Sequence, residues 1–345
     1  MLNNSYSFIF ILLVSGCAQI TSLNLQKHQF GQVPTKIVWI QVAGFEEEHL
    51  ATLKFDSKKN DEVLSFEKFL CVGKAWEYNL FDIRPEAYAS FHGQLTGERN
   101  IKNSCEDYDF KPIWSLVKDK GYKIGAFENH MRADQSLLKA RSCKEIGDKF
   151  LDGLTLWKMN KAPSKKEKLF HRNEKVSFKD PSVYYDRSCL AGECYSTTSQ
   201  NIKSVFTQFS KNNQKYVFMV RDFSYGNNLK KNDYAKYKDS LNELEKTVQY
   251  FLNLSAKKSN MLVLLTTAGA HSVEYPRSGR QWQSFEKNGN FLKLKRSRLI
   301  NTVFASGARA ENFCGIYNQS QILKRVFSGS KQQGLELAII NPFES

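Results

Sequence analysis

Apolar, β-branched and aromatic runs of strand length recur along the chain with helix-length segments between them, and this alternation is the strongest constraint on its fold. The runs are Lys36-Ile-Val-Trp-Ile-Gln-Val42, Tyr122 to Phe127, Lys215-Tyr-Val-Phe-Met-Val220, Met261-Leu-Val-Leu-Leu265, Leu299 to Ala305 and Leu335-Glu-Leu-Ala-Ile-Ile340. Near-continuous apolar strands separated by helices belong to a parallel sheet covered on both faces. Helices are expected around Asp61 to Ala75, over Trp114 to Lys120 and between Asp222 and Met261. In the last of these, Tyr234, Tyr237, Leu241, Leu244, Val248 and Phe251 recur at three- and four-residue steps, the pattern of a core-facing stripe rather than a cofactor site.

The chain has 345 residues, enough for two domains or one large α/β domain with insertions. Its 25 Phe, 15 Tyr and 5 Trp exclude a disordered or low-complexity chain. The balance of 50 Lys plus Arg against 35 Asp plus Glu, a formal charge of +15, favours anionic partners. Two basic stretches stand out. Residues 158–179 hold eight Lys or Arg around Pro163 and Ser164, which reads as a solvated loop, part of a basic insertion at about 151–196. The second contains Arg277, Arg280, Lys293, Lys295, Arg296 and Arg298 near Trp282 and Phe285, a mixture that could grip phosphate or stack a base.

The N-terminal segment chooses among those anions. Phe8 to Val14 is an apolar run of signal-peptide length, too short to span a bilayer, and Val14-Ser15-Gly16-Cys17 resembles a bacterial lipobox. No Lys or Arg precedes it, so the start amine alone supplies the positive charge. The expectation is a signal peptide over 1–16, lipidation of Cys17, and a polar tether over 17–35. A multiply acylated cysteine anchors stably, and Ala18 suggests sorting to the outer membrane by resemblance to bacterial lipoproteins. A lipid-anchored envelope protein meets anionic glycolipids, phospholipids and wall polymers, so an anionic envelope ligand or a protein partner is expected and nucleic acid is not.

Six cysteines remain, at 71, 105, 143, 189, 194 and 314, an even number suited to disulfides in an oxidising compartment. Cys189 and Cys194 are the expected local bridge, with zinc the weaker alternative for want of further ligands at matching spacing. The other pairings are not readable.

No GxSxG, P-loop, HExxH or GxGxxG motif is present. Four segments in order nevertheless resemble the alkaline phosphatase/sulfatase superfamily from about residue 36 to the C-terminus. They are Val42-Ala43-Gly44, then Ala87-Tyr-Ala-Ser-Phe-His-Gly-Gln-Leu-Thr-Gly97, then Ile113 to Gly125, and Met261 to Ala270. The resemblance implies an α/β fold with a mostly parallel central sheet, helices on both faces, and one domain over 36–345. It also implies Asp and His ligands to divalent cations at the strand ends and a Thr, Ser or formylglycine nucleophile. At the matching positions this chain has Ala43 for a ligand Asp, Ala87 for the nucleophile, and Ala268-Gly269-Ala270 for Asp-His-Gly. A methyl group cannot attack phosphorus or sulfur.

Polar survivors are Asp222, Asn227, His92 and His271, with Ser90 reading as a helix serine. Asp222 reads equally as a helix-cap carboxylate or a relic ligand, and His271 as a solvated loop residue. The joint losses imply a degenerate member, a pseudoenzyme with no cofactor. The alternative is an active metal-dependent hydrolase or transferase of phosphate or sulfate esters, using Asp222, His271 and a divalent metal such as zinc or calcium.

Overall fold

The computed structural model describes residues 32–328 except 56–62, 175–177, 179–180, 191–192, 232, 259, 289–292 and 298. The signal peptide, Cys17, Arg298 and the strand expected at Leu335 to Ile340 lie outside the described residues. Fourteen strands follow in chain order: β1 (Lys36–Ala43), β2 (Cys71–Trp76), β3 (Lys123–Asn129), β4 (Leu154–Met159), β5 (Lys168–Phe170), β6 (Val183–Asp186), β7 (Cys189–Leu190), β8 (Glu193–Cys194), β9 (Tyr216–Asp222), β10 (Met261–Ala268), β11 (His271–Glu274), β12 (Lys293–Ser297), β13 (Ile300–Gly307) and β14 (Gly315–Asn318).

Ten of them form one sheet in the order β14-β2-β13-β10-β1-β9-β3-β4-β6-β5. Only β13 runs against the others, pairing antiparallel with both β10 and β2. The two-stranded sheets β11–β12 and β7–β8 lie apart. The expected mostly parallel α/β architecture is therefore the one observed.

Both faces of the sheet are buried, as continuous apolar strands require. Val38, Ile40 and Val42 of β1 face a core shared with the helices Thr198–Ser210 and Tyr234–Ser255. Ile37 and Trp39 face the opposite core with Trp114, Phe150, Ile322 and Leu323. The Tyr234–Ser255 helix starts where the Asp233 carboxylate accepts from the Lys236 N–H at 3.1 Å, and every member of its expected stripe is buried.

Two expectations fail. Asp61 to Ala75 is not a helix: Ser65–Lys68 is one 3-10 turn, and Cys71–Trp76 is strand β2. Its Val72, Lys74 and Trp76 point one way and Cys71, Gly73 and Ala75 the other, an alternation that mixed polarity disguised. Nor is 158–179 simply an exposed loop. β4 and β5 place parts of it in the sheet, and Lys158 is buried.

The cysteines pair as Cys71–Cys314, Cys105–Cys143 and Cys189–Cys194, the last as expected. Asp186 lies beside the third bridge, but with both thiols joined its carboxylate serves Ser188 and Asn201 instead of a metal.

One polar row interrupts this apolar sheet. Lys158 of β4, Glu128 of β3, Arg221 of β9, Gln41 of β1 and Thr266 of β10 are register partners on five adjacent strands. Glu128 accepts from Arg221 Nη1 at 2.9 Å, Lys158 Nζ at 3.1 Å, Ser136 Oγ at 2.5 Å and the Leu137 N–H at 2.7 Å. Arg221 Nε donates to Gln41 at 3.2 Å, and Gln94 joins Gln41 to Thr266. Burial alone would raise the Glu128 pKa, but Lys158, Arg221 and its hydrogen bonds hold it below the usual value. We expect Glu128→Gln to cost about 3–5 kcal/mol, because it strands two buried cations. Denaturant unfolding with an unchanged m-value would check this.

Candidate functional site

The carboxyl ends of β1, β9 and β10 lie side by side, with Ala43 opposite Ala268 and Val42 opposite Asp222. Above them opens a cleft of about 420 Å3 lined by Ala43, Gly44, Ala87, Asn227, Gly269 and His271, among others. Ala87 begins the helix Ala87–Thr96, whose N-terminus points into the cleft beside Glu86. Gly269 has φ +60°, and a Cβ there would sit 3.2 Å from the Ala87 methyl. Gly44 has φ +81°, and its Cβ would come within 2.8 Å of the Gly226 Cα, so the end of β1 crosses the Ser224–Lys230 helix backbone to backbone. The three alanine positions singled out by the sequence resemblance thus meet at one place: Ala43 and Ala87 line the cleft, and Ala268 lies buried beneath it.

The polar survivors divide. Asp222 is buried, and its Oδ1 accepts from the Ser224 N–H at 2.8 Å, Ser224 Oγ at 2.6 Å and the Tyr225 N–H at 3.3 Å, which is the work of a helix cap. His92 is not at the cleft. It stacks on Phe150 with its Nε2 2.8 Å from the Asp107 carbonyl, and burial pushes its pKa down to about 4. Ser90 sits inside the helix and donates to Glu77 at 2.9 Å. His271 opens β11, half-buried, instead of lying in a solvated loop. Burial, and then the neighbouring Lys230, lower its pKa, so it is neutral at pH 7.

Among the described residues, no three His, Cys, Asp or Glu side chains converge at this cleft within ligand distance of a common ion. The residues present do not fit the divalent-cation site that the sequence resemblance implies.

What the sequence reading missed is the cleft's charge. Arg84, Arg132, Lys139 and Lys230 line it, against the carboxylates Glu86 and Asp134. Arg132 is paired with Asp134 at 3.0 Å. Lys139 donates to Asn103 at 2.9 Å and lies 4.7 Å over the Tyr88 ring. Arg84 and Lys230 are exposed, with no carboxylate partner among the described residues. The Cys105–Cys143 bridge ties the segments that carry Asn103 and Lys139 into one wall. Arg277 and Arg280 are exposed and do not line the cleft, and the side chains of Lys293, Lys295 and Arg296 lie outside the described residues.

No protein-family model matches the chain, and no curated protein matches it by sequence. Solved structures do match it. The alkaline phosphatase from the Antarctic bacterium TAB5 superposes with a TM-score of 0.62 at 14% identity, covering 86% of this chain and 98% of that one. The cold-active alkaline phosphatase from a psychrophilic Shewanella gives 0.66 at 12% identity, covering 85% and 98%. The Thermus thermophilus alkaline phosphatase gives 0.60 at 12%, covering 93% and 99%. The fold is that of alkaline phosphatase. The resemblance read from four short segments is therefore correct for the architecture, and the alkaline phosphatase fold puts the cleft at the strand ends where open α/β sheets bind ligands.

Beneath the cleft, Glu77 is a buried carboxyl that the sequence did not single out. Its Oε1 accepts from the Gly269 N–H at 2.5 Å and from Ser90 Oγ, fixing the Gly269 turn against the helix that carries Ala87. Burial raises its pKa above 4.5. A raised folded pKa means that its contribution is full below about pH 4.5 and is lost as pH climbs through the folded value. We expect Glu77→Gln, which keeps the accepting oxygen, to melt at an equal or higher temperature at pH 7 and to flatten this pH dependence. Glu77→Ala should cost about 1–3 kcal/mol. Thermal melts from acid to neutral pH would measure both.

Proposed function

We propose that this protein is a lipid-anchored component of the bacterial cell envelope that uses an alkaline phosphatase-like cleft to hold an anionic ligand without hydrolysing it. One observation carries the reading: a helix N-terminus and the cations Arg84 and Lys230 surround a floor made of Ala43, Ala87 and Gly269. Unpartnered cations beside helix N–H groups attract phosphate-like anions. The floor supplies neither a nucleophile nor oxygen ligands for a hard dication, so attraction is not coupled to turnover. Lipidation at Cys17, and the outer membrane as the site, rest on the lipobox resemblance alone.

The hydrolase alternative requires Asp222 as a ligand, and the capping bonds on its Oδ1 weigh against it. The full chain, purified without chelator, should contain less than stoichiometric zinc, manganese and calcium and should bind lipopolysaccharide at low salt. Arg84→Ala combined with Lys230→Ala should raise that Kd at least tenfold, about 1.4 kcal/mol, whereas Arg277→Ala with Arg280→Ala should leave it unchanged. Metal-dependent cleavage of phosphate or sulfate esters, abolished in a folded Asp222→Asn variant, would overturn the proposal in favour of an enzyme.

A further inference from the structure

The opposite end of the sheet, where the parallel strands begin, carries a charge distribution of its own. The segments 118–122, 211–215 and 256–260, which lead into β3, β9 and β10, contain Lys118, Lys120, Lys211, Lys215, Lys257 and Lys258 with a single carboxylate, Asp119. Of these lysines, Lys118 is engaged by Asp152. Lys36 and Lys123 open β1 and β3 at the same end. Burial, and then the charge of Lys36, lower the pKa of Lys258, so these two cations lie close to one another. Beside them lies an open groove of about 1030 Å3 lined by Lys123, Arg172, Lys203 and Lys211 and by no described carboxylate.

The chain also enters the domain at this end. Thr35 and Lys36 donate their N–H groups to the Asn260 carbonyl, and the Tyr122 hydroxyl donates to the Pro34 carbonyl at 3.0 Å. Whatever holds residues N-terminal to Pro34 therefore holds the molecule by its basic end. Even at full extension the sixteen residues from Cys17 to Gln32 reach no farther than about 55 Å, so an anchor at Cys17 keeps this end of the domain within that distance of the anchoring surface.

We propose that the strand-start end docks against anionic lipid headgroups of the membrane that carries the chain, with the ligand cleft turned away from it. Clustered lysines within a Debye length of an anionic surface are attracted to it, and the effect is screened by salt. The seven- and eight-residue strands separate the two ends by roughly 25 Å at about 3.3 Å per residue, so the cleft stays open to solvent while the basic end is covered. The tethering rests on the reading of Cys17 as an anchor; the charge of the docking face does not.

The test adds the full chain, purified in detergent, to preformed vesicles of phosphatidylcholine with or without phosphatidylglycerol. A membrane-impermeant acetylating reagent then labels lysines, which are read by mass spectrometry. We expect labelling of Lys211, Lys215, Lys257 and Lys258 to fall several-fold on anionic vesicles only and to recover in high salt, with Lys139 and Lys230 at the cleft unchanged. Lys211→Glu with Lys258→Glu should abolish protection of Lys215 and Lys257. Equal labelling on both vesicle types, or protection confined to the cleft lysines, overturns the proposal. Flotation with the neutral vesicles reports the anchor separately: protein that floats only with anionic vesicles, with the basic end protected, retains the docking face and removes the anchor.

Discussion

Everything at the cleft end of this molecule is referred to one row of side chains, Lys158-Glu128-Arg221-Gln41-Thr266, laid across β4, β3, β9, β1 and β10 at a single register level. Parallel apolar strands pair with little regard for register, since a shift of two residues exchanges one aliphatic side chain for another. The row removes that freedom. Slipping β3 by two residues against β9 would set Arg221 opposite Ala126 and leave Glu128 without its register partner in the core, a cost of several kcal/mol. A one-residue slip would turn Glu128 to the other face altogether. A well-packed hydrophobic row could match its stability; what the charged row adds is a single alignment of five strand ends.

That alignment places the cleft. Val42-Ala43, Asp222-Phe223 and Thr267-Ala268 follow directly after the row, so the strand ends finish level with one another. Gln94 reaches from the helix to Gln41, to the Thr266 hydroxyl and to the Thr267 carbonyl, which ties the helix that begins at Ala87 to the same level. Glu77 completes the tie from the far side through Gly269 and Ser90. The cleft floor is thus held by buried polar bonds even though the floor itself offers methyl groups and backbone. Such networks must be fully satisfied to be tolerated, and these serve geometry, with no member exposed to react.

The sheet was legible because its strands are apolar on both faces, a pattern that survives without any alignment. β1, β3, β9 and β13 fall within two residues of the runs read from sequence, and β10 starts at the same residue and runs three residues farther. β2 was lost because Val72 and Trp76 share its outer face with Lys74, so neither a continuous nor a clean alternating pattern appears. The basic stretch at 158–179 misled for the opposite reason: Lys158 carries the same symbol as its solvated neighbours, yet it is a core residue because Glu128 lies beside it on β3. Its partners were written in the sequence as the first polar residue after the apolar run of each central strand, Gln41, Glu128 and Arg221, a signal that would have found the row. The cleft cations had no comparable signal. Arg84, Arg132, Lys139 and Lys230 come from distant segments that only the folded sheet brings together.

The two ends of the sheet also divide the molecule's excess charge in different ways. At the cleft, Arg132 is held by Asp134 and Lys139 by Asn103, Glu86 lies beside the helix start, and Arg84 and Lys230 have no carboxylate partner among the described residues, so the field is confined to a pocket a few residues wide. At the strand starts, lysines are spread over three loops with Asp119 as the one carboxylate in those segments. A confined field favours a compact anion held by several donors at once. A spread field favours an extended anionic surface, where many weak and screened attractions add and no single lysine decides the outcome. The chain enters beside the spread field, so in the function and docking proposed above the aligned sheet stands between an anchored end and a ligand-holding end.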